Sequence, residues 1–336
     1  MASDGEKQLV ETAPENIPVA LKGFEDEAQA KDLGHVVAYV VRSISRYMDL
    51  ERLDGITIAF DYDEALASLD RGYDASRLLN CTTTEEISGV AMAPVVIRDG
   101  VIKSHMVFHA PFVMSIMDEE DSDFKQQAIH LIAHECAHVE DNKYKDLSLP
   151  GTMLQKEYLS YEDAVFGQVA DSTWSEYAAC IVSATFGSDQ TKSYVEGFIS
   201  VLEVARSKAI EAIKSYRIHG DLNLLVEEVG QPLCLPIKGA SYLLGHLDGV
   251  GKSFSDIEDL EDTISEHGYS EYIYRLKVEL RKLWEKRDQW EGEEEFQPIN
   301  LIAKDLFADV GVIFTKMEDG QSHIDVPFTP ETMPDL

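Results

Sequence analysis

The amino-acid sequence predicts an α+β fold, in which a small mixed or antiparallel sheet packs on an HExxH helix and a mostly helical C-terminal region follows. Two observations carry this prediction. The β-type segments lie in the first third of the chain, whereas helical periodicity dominates the remainder up to a short β-type pair near the end. Strands and helices also do not alternate along the chain, so a βαβ arrangement is not expected.

The first elements follow from hydrophobic spacing and from turn residues. The predicted elements of this part are a helix over 24–52 and strands over 55–63, 89–97 and 101–110. The dipeptide Asp99-Gly100 separates the last two strands and predicts a β-hairpin. Pro94 lacks a backbone N–H, and it marks an edge or a bulge in its strand.

The later elements are predicted to be helical. Acidic residues over 118–123 precede the helix 123–142, where they suit a helix N-terminus. Further helices are predicted over 154–168, 172–186, 191–216, 232–248 and 255–290. Two strands around Asp319-Gly320, within 310–328, close the sequence.

Composition restricts the class of partner. The chain has 336 residues, with 29 Lys and Arg against 62 Asp and Glu, a net charge of -33. Such a surface repels nucleic acids and anionic lipids and attracts a basic partner, although a solvated acidic surface is the ordinary interpretation. No signal peptide and no apolar run of membrane-spanning length are evident. The four scattered cysteines indicate reduced thiols, so we expect a cytoplasmic protein that binds neither nucleic acid nor membrane.

The segment AIHLIAHECAHVED, residues 128–141, contains the pattern HExxH. On an α-helix, His134 and His138 lie one turn apart on the same face, where their imidazoles can hold one Zn²⁺ ion together. Glu135 lies about 100° around the helix from His134. Its carboxylate therefore borders the metal face and can take a proton from a water molecule held by zinc.

The surroundings of the motif strengthen this interpretation. Apolar residues lie on nearly every side of the same helix, which predicts that the helix is buried. Two histidines and a glutamate are costly to bury without partners, and one metal ion would satisfy all three. A surface helix with exposed histidines is the alternative, and the apolar surroundings disfavour it.

A catalytic zinc site takes three protein ligands, so a third residue is needed. We predict Glu176, within ADSTWSEYAACIVSA (170–184), because the apolar residues around it indicate a second core helix. The alternative is a capping box in which Thr173 begins a helix and Glu176 only reaches back to a backbone N–H. Weaker candidates for the third ligand are Glu162, Asp163 and Asp171.

Other polar residues near the motif have less defined roles. Three ligands from one straight helix would have to span about 12 Å, so His130 is predicted to be a core histidine or to support a ligand. Glu140 and Asp141 either orient His138 or face water at the helix end, and the second is expected. The donor to the substrate oxyanion stays open, and its candidates are Tyr158, Tyr161, Tyr177 and His219.

The pattern resembles the metal site of zincin metallopeptidases of the gluzincin type, where a downstream helix carries a glutamate ligand. The stretch SEYAACIVSA is also similar to the second metal-site helix of ImmA/IrrE-like metallopeptidases. The resemblance covers roughly residues 88–186. Cys180 stands where thermolysin-like enzymes have an aspartate, and no helix-turn-helix segment accompanies the motif, so a repressor-cleaving role is not implied.

Composition and periodicity, together with the resemblance for the metallopeptidase domain, predict a domain organisation. The predicted ranges are a flexible acidic leader over 1–23, a zincin-like metallopeptidase domain over 24–190, a helical region over 191–290 and a C-terminal segment with a hairpin over 291–336.

The predicted function is a zinc-dependent peptidase, in which Glu135 activates a metal-bound water against a peptide or protein substrate, with basic substrates favoured. An acidic binding or regulatory protein that keeps a zinc site with little hydrolysis is the alternative, and the charge of -33 favours it. A zinc hydrolase acting on a non-peptide bond is a third possibility. In zincins an extended peptide pairs with the strand before the metal helix, so 101–110 is expected to be an edge strand. The alternative is an interior strand that is paired on both sides.

Overall fold

A computed structural model describes residues 10–75, 78–81, 89–155, 158, 160–317 and 321–334. The chain is a mixed α+β structure with a small mixed sheet and a mostly helical C-terminal region, which confirms the predicted class. It divides into two compact units. The sheet unit comprises Met1–Leu147 and Val182–Asp189, and the helical unit comprises Ser148–Ile181 and Gln190–Leu336. These units differ from the four predicted ranges, which stay predictions.

The sheet unit contains the β-rich part of the chain. Its strands are β1 (Val19–Lys22), β2 (Leu53–Ala59), β3 (Ala91–Met92), β4 (Val95–Arg98) and β5 (Val101–His109). Its helices are α1 (Glu27–Ile44), α2 (Tyr62–Ala67), α3 (Ala110–Val113) and α4 (Asp123–Ser148), the last of which ends at the unit boundary.

Strand β5 lies inside the sheet. The strand order is β1-β2-β5-β3, and β4 also pairs with β5. Strands β1, β2 and β5 are parallel, whereas β3 and β4 run antiparallel to β5. Because β5 pairs with β2 from Ser104 to His109 and with β3 and β4 on its other side, the expectation that 101–110 is an edge strand is wrong. A peptide cannot be added to a strand whose backbone groups are already used on both sides.

The β4–β5 hairpin forms at the dipeptide that predicted it. Asp99 and Gly100 have φ angles of 52° and 76°, a left-handed pair that suits a two-residue hairpin turn. The predicted strand 89–97 is interrupted at Pro94, and β3 and β4 lie on either side of the interruption. The carbonyl oxygen of Pro94 still accepts a hydrogen bond of 2.9 Å from the His105 N–H.

Part of the predicted leader belongs to the sheet unit. Strand β1 pairs with β2 from Val19 opposite Ile56 onward. Upstream of it, the Thr12 hydroxyl contacts the carbonyl oxygens of Ser45 and Met48 at 2.9 and 2.7 Å. This part of the predicted leader therefore has defined backbone partners in the sheet unit, which a composition argument does not reveal. Residues 1–9 lie outside the described ranges.

The helical unit packs long helices around a large apolar core that includes Trp174, Phe198 and Leu244. Its elements are α5 (Tyr161–Ser183, the last two residues in the sheet unit), α6 (Thr191–His219), α7 (Leu222–Val250), α8 (Leu260–Glu266), α9 (Ser270–Glu285), α10 (Gln297–Asp309), β6 (Ile313–Lys316) and β7 (Ser322–Asp325). Strands β6 and β7 form the late hairpin, although Asp319-Gly320 lie outside the described residues. Within the described part of the chain, no helix has the length and apolar character needed to cross a bilayer.

Two helices of the helical unit differ from the prediction in their extent. Helix α7 begins at Leu222 and not at 232, because the Asp221 side chain caps its first turn and the helix accommodates Pro232 and Pro236 internally. Helix α5 is one continuous helix where two were predicted. Thr173 therefore lies in a helix interior.

We expect Gly187→Ala to destabilise the sheet unit more than Gly100→Ala does. Both glycines have positive φ, at 71° and 76°, so both variants incur the left-handed penalty of about 1–2 kcal/mol. A methyl group at Gly187 would also overlap the Gln126 carbonyl oxygen, whereas nothing lies within 4 Å of the corresponding position at Gly100. Urea denaturation measures the two losses, and equal losses would contradict the packing described at Gly187.

Candidate metal centre

The motif side chains converge in the middle of α4. His134, Glu135 and His138 form a group in which one possible ligand atom of each residue lies within 4.8 Å of the others. The two imidazole Nε2 atoms lie 3.1 Å apart. Two nitrogens bound to one tetrahedral zinc at 2.0–2.1 Å are separated by about 3.3 Å. The two imidazoles therefore already have nearly the spacing that a shared zinc ion requires.

Two of the three side chains are buried, as the apolar surroundings predicted, and His138 is partly exposed. His134 and Glu135 are 7% and 3% exposed. Two contacts place α4 beside β5: the Cys136 sulfur lies 4.0 Å from the Met106 sulfur, and the Asn142 amide donates to the Ser104 hydroxyl at 3.0 Å. One imidazole and the carboxylate are thus shielded from bulk water, while the second imidazole lies at the exposed side of the group. The charged form of such groups is costly there, which favours a cation as their partner.

The cysteines are free thiols, as expected from their spacing. Cys136 lies within the motif, but its side chain faces Met106. Burial raises the pKa of the Cys136 thiol, and the charge of Glu135 raises it further. The thiol is therefore an apolar packing group in this setting, and the two histidines are the candidate metal-binding side chains of α4.

His130 has its own partner. Its Nδ1 donates to the Phe186 carbonyl oxygen at 3.0 Å, and its ring centroid lies 6.5 Å from that of His134. His130 is 5% exposed, in agreement with a core histidine. The contact ties α4 to the segment that contains Gly187.

Glu140 and Asp141 do not face water. They are 7% and 0% exposed, and a Glu140 carboxylate oxygen accepts a 2.6 Å hydrogen bond from the Asp49 N–H. The expectation of solvent exposure is wrong because α4 continues to Ser148, well past its predicted end at 142. Both carboxylates consequently lie in a helix interior and not at its end.

Glu176 lies inside α5, which excludes the capping-box alternative. Within the helical unit, its Oε1 lies 3.0 Å from Lys238 Nζ, and its side chain is 12% exposed. Burial raises the pKa of Tyr242 well above its usual value, and the charge of Glu176 and a hydrogen bond to it add to the rise. Glu176 is thus a partly buried carboxylate with basic and phenolic neighbours, and its role as third metal ligand stays a prediction.

Two of the three weaker candidates for the third ligand accept hydrogen bonds from other side chains of the helical unit. Glu162 accepts from Lys304 Nζ at 2.7 Å, and Asp163 accepts from the Ser160 hydroxyl at 2.8 Å. Asp171 lies within α5. Across the described residues, the group around the motif comprises only His134, Glu135 and His138.

The four candidate oxyanion donors lie in the helical unit. The Tyr177 hydroxyl donates to an Asp248 carboxylate oxygen at 2.7 Å, and His219 Nδ1 accepts from a backbone N–H at 2.9 Å. Tyr161 is 41% exposed, and Tyr158 packs against Gly167.

Comparison with known proteins gives no relative from which a role for these residues could be inferred. The chain was compared with protein-family models, curated proteins and solved structures, and nothing matches it. The resemblance to zincins therefore rests on the residues described above.

We expect metal analysis of the purified protein to give one zinc ion per chain, and His138→Ala to lose it. The substitution removes one of the two Nε2 atoms that face each other at 3.1 Å. His35→Ala is the matched control, since His35 is an exposed histidine of α1 in the same unit. A zinc content that is the same in the His138→Ala and His35→Ala variants would rule out the proposed centre.

Proposed function

We propose that this protein is a zinc-dependent peptidase. The observation that carries the proposal is the group of His134, Glu135 and His138, with its facing Nε2 atoms and adjacent carboxylate in a buried helix. Zinc held by the two histidines would supply Lewis-acid polarisation of a water molecule and of the substrate carbonyl. The remaining chemistry falls to side chains of the protein.

Glu135 is the proposed general base. One of its carboxylate oxygens accepts the proton that the attacking water loses, and the same oxygen then returns that proton to the nitrogen of the leaving amine. Glu135 follows His134 in the sequence and lies about 100° further around the helix. Its carboxylate is therefore beside the two imidazoles and does not occupy the helix face from which they project. Burial of Glu135 at 3% exposure limits competition from bulk water for this proton.

The packing of the sheet on the motif helix is part of the proposal. The contacts of Cys136 with Met106 and of Asn142 with Ser104 support it, because both join α4 to an interior strand. An interior strand is paired on both sides and is a rigid support. Rigid support matters because a catalytic geometry must hold to within a fraction of an ångström.

Glu176 is the proposed third ligand, and the sequence supports this role. The ion pair of its Oε1 with Lys238 in the helical unit is compatible with this role. A carboxylate has two oxygens, so one can remain with Lys238 while the other is offered to a cation. A glutamate binds a metal ion as the carboxylate, the form that pairs with a lysine ammonium.

The net charge of -33 supports a preference for basic peptides and also the alternative function, an acidic regulatory protein that binds zinc without turnover. Free thiols are compatible with the proposed cytoplasmic location. Incubation with unfolded casein, with and without a chelator, distinguishes the two functions. Chelator-sensitive cleavage supports the peptidase, and zinc binding without cleavage supports the alternative.

Glu135→Gln is expected to retain zinc and to lower kcat by about 100- to 10,000-fold, because an amide cannot accept the proton. Zinc content and casein cleavage are measured on the same preparation. Glu27→Gln, at an exposed position in the first turn of α1, controls for the loss of one charge. Activity within a few-fold of wild type would refute the general-base role, and loss of zinc would make Glu135 a structural residue.

Glu176→Ala is expected to weaken zinc affinity about as strongly as His138→Ala, since each substitution removes one ligand. A competitive zinc titration with a fluorescent chelator measures the dissociation constants. Glu196→Ala is the control, because Glu196 has an exposed side chain in the same unit. Full zinc affinity in a folded Glu176→Ala variant would assign the third position to another residue.

A further inference from the structure

Two donors from one helix hold the carboxylate of Glu176 in the helical unit. Lys238 Nζ lies 3.0 Å from Glu176 Oε1, and the Tyr242 hydroxyl donates a hydrogen bond to the same carboxylate. Lys238 and Tyr242 are four residues apart in α7, so they project from the same face of that helix. The Lys238 ammonium accordingly lies 5.9 Å from the centre of the Tyr242 ring. A carboxylate held by two side chains of one helix has little freedom to rotate.

The ring of Tyr242 is itself fixed by aromatic neighbours. It lies 5.7 Å from the ring of Tyr194 in α6, with the planes inclined by 38°. The same Tyr194 ring contacts His246, one turn further along α7, at 5.4 Å. The Tyr194 hydroxyl also accepts a 3.6 Å hydrogen bond from the thiol of Cys180 in α5. Side chains of three helices therefore determine where the Tyr242 hydroxyl lies.

Lysine and tyrosine act differently on a carboxylate that binds a cation. The Lys238 ammonium ends a flexible chain that is 30% exposed, and its positive charge repels a metal ion at the same carboxylate. The phenol of Tyr242 is neutral, and only two side-chain torsions place its ring. A carboxylate offers about four lone-pair positions, so two donors leave room for a cation. Tyr242 is therefore the donor that orients Glu176 without opposing a metal ion.

We propose that Tyr242 is a positioning residue of the metal site, whose hydroxyl orients the Glu176 carboxylate for its place as third ligand. This role rests on the proposed function, in which Glu176 has that place. Hydrogen-bond partners of metal ligands fix the ligand before the ion arrives, and their loss weakens metal binding about 10- to 100-fold. Tyr242 thus contributes to zinc affinity without touching the ion.

Tyr242→Phe tests this role because it removes the hydroxyl and leaves the ring against Tyr194. A competitive titration with a fluorescent chelator compares the zinc dissociation constants of the variant and of wild type. We expect the constant to rise about 10- to 100-fold. The visible absorption of the Co²⁺-loaded protein should also change, because it reports the geometry of the ligands around the metal. Tyr274→Phe, at a 69% exposed position of α9 in the same unit, is the control and should change neither.

A double-mutant cycle with Glu176→Ala separates positioning from packing. If Tyr242 acts through Glu176, Tyr242→Phe has no further effect on zinc affinity once that carboxylate is absent. If the hydroxyl only stabilises the packing of α7, Tyr242→Phe weakens zinc binding by the same factor in both backgrounds, and that result would overturn the proposal. Thermal unfolding of the metal-free proteins checks that each variant is folded.

The outcomes also distinguish the role of Tyr242 from the proposed function. Unchanged zinc affinity and an unchanged cobalt spectrum in Tyr242→Phe, with zinc binding weakened in Glu176→Ala, would overturn that role and leave the third ligand and the peptidase intact. Full zinc affinity in Glu176→Ala would remove the third-ligand assignment, and the role of Tyr242 with it. Casein cleavage by wild type decides the peptidase activity separately, because the measurements on Tyr242 follow metal binding and not turnover.

Discussion

Two imidazole nitrogens 3.1 Å apart, in the interior of a buried helix, are the constraint around which the sheet unit is arranged. The distance follows from helix geometry, because side chains four residues apart project from the same face. It holds only if the helix is straight and firmly packed at that point. The contacts of α4 with β5 meet this requirement, since β5 pairs on both sides and cannot shift alone.

Burial of polar groups is the recurring cost of this arrangement, and the protein offsets it with defined partners. His130 is held by a backbone carbonyl, and Glu140 by a backbone N–H. His105 of strand β5 is also satisfied at both ring nitrogens. Its Nδ1 donates to an Asp54 carboxylate oxygen, and its Nε2 accepts from the Thr57 hydroxyl, at 2.9 Å each. Burial lowers the pKa of His105 although Asp54 opposes the effect, so a neutral imidazole links strands β2 and β5. Such satisfied networks favour one strand register over its alternatives.

The sequence predicted the features that depend on local spacing. The class of the fold, the Asp99-Gly100 hairpin and the buried HExxH helix follow from periodicity and turn chemistry, and the structure contains them. Features that depend on distant partners were not predictable in this way. The interior position of β5 requires knowledge of β2 and β3, and the burial of Glu140 depends on Asp49, far away in the chain. The residues around Thr173 fit the pattern of a helix N-cap, but α5 is continuous through this position.

The position of the motif within α4 has a consequence for how the proposed metal site would be loaded. The helix runs from Asp123 to Ser148, so complete helical turns flank both histidines and its backbone hydrogen bonds need no cation. Small zinc-dependent domains behave differently, because their ligands come together only when the metal folds them. A zinc ion at the proposed site would therefore bind to a polypeptide that is already folded. The fraction of zinc-loaded molecules would then follow the free zinc concentration and not the folding equilibrium.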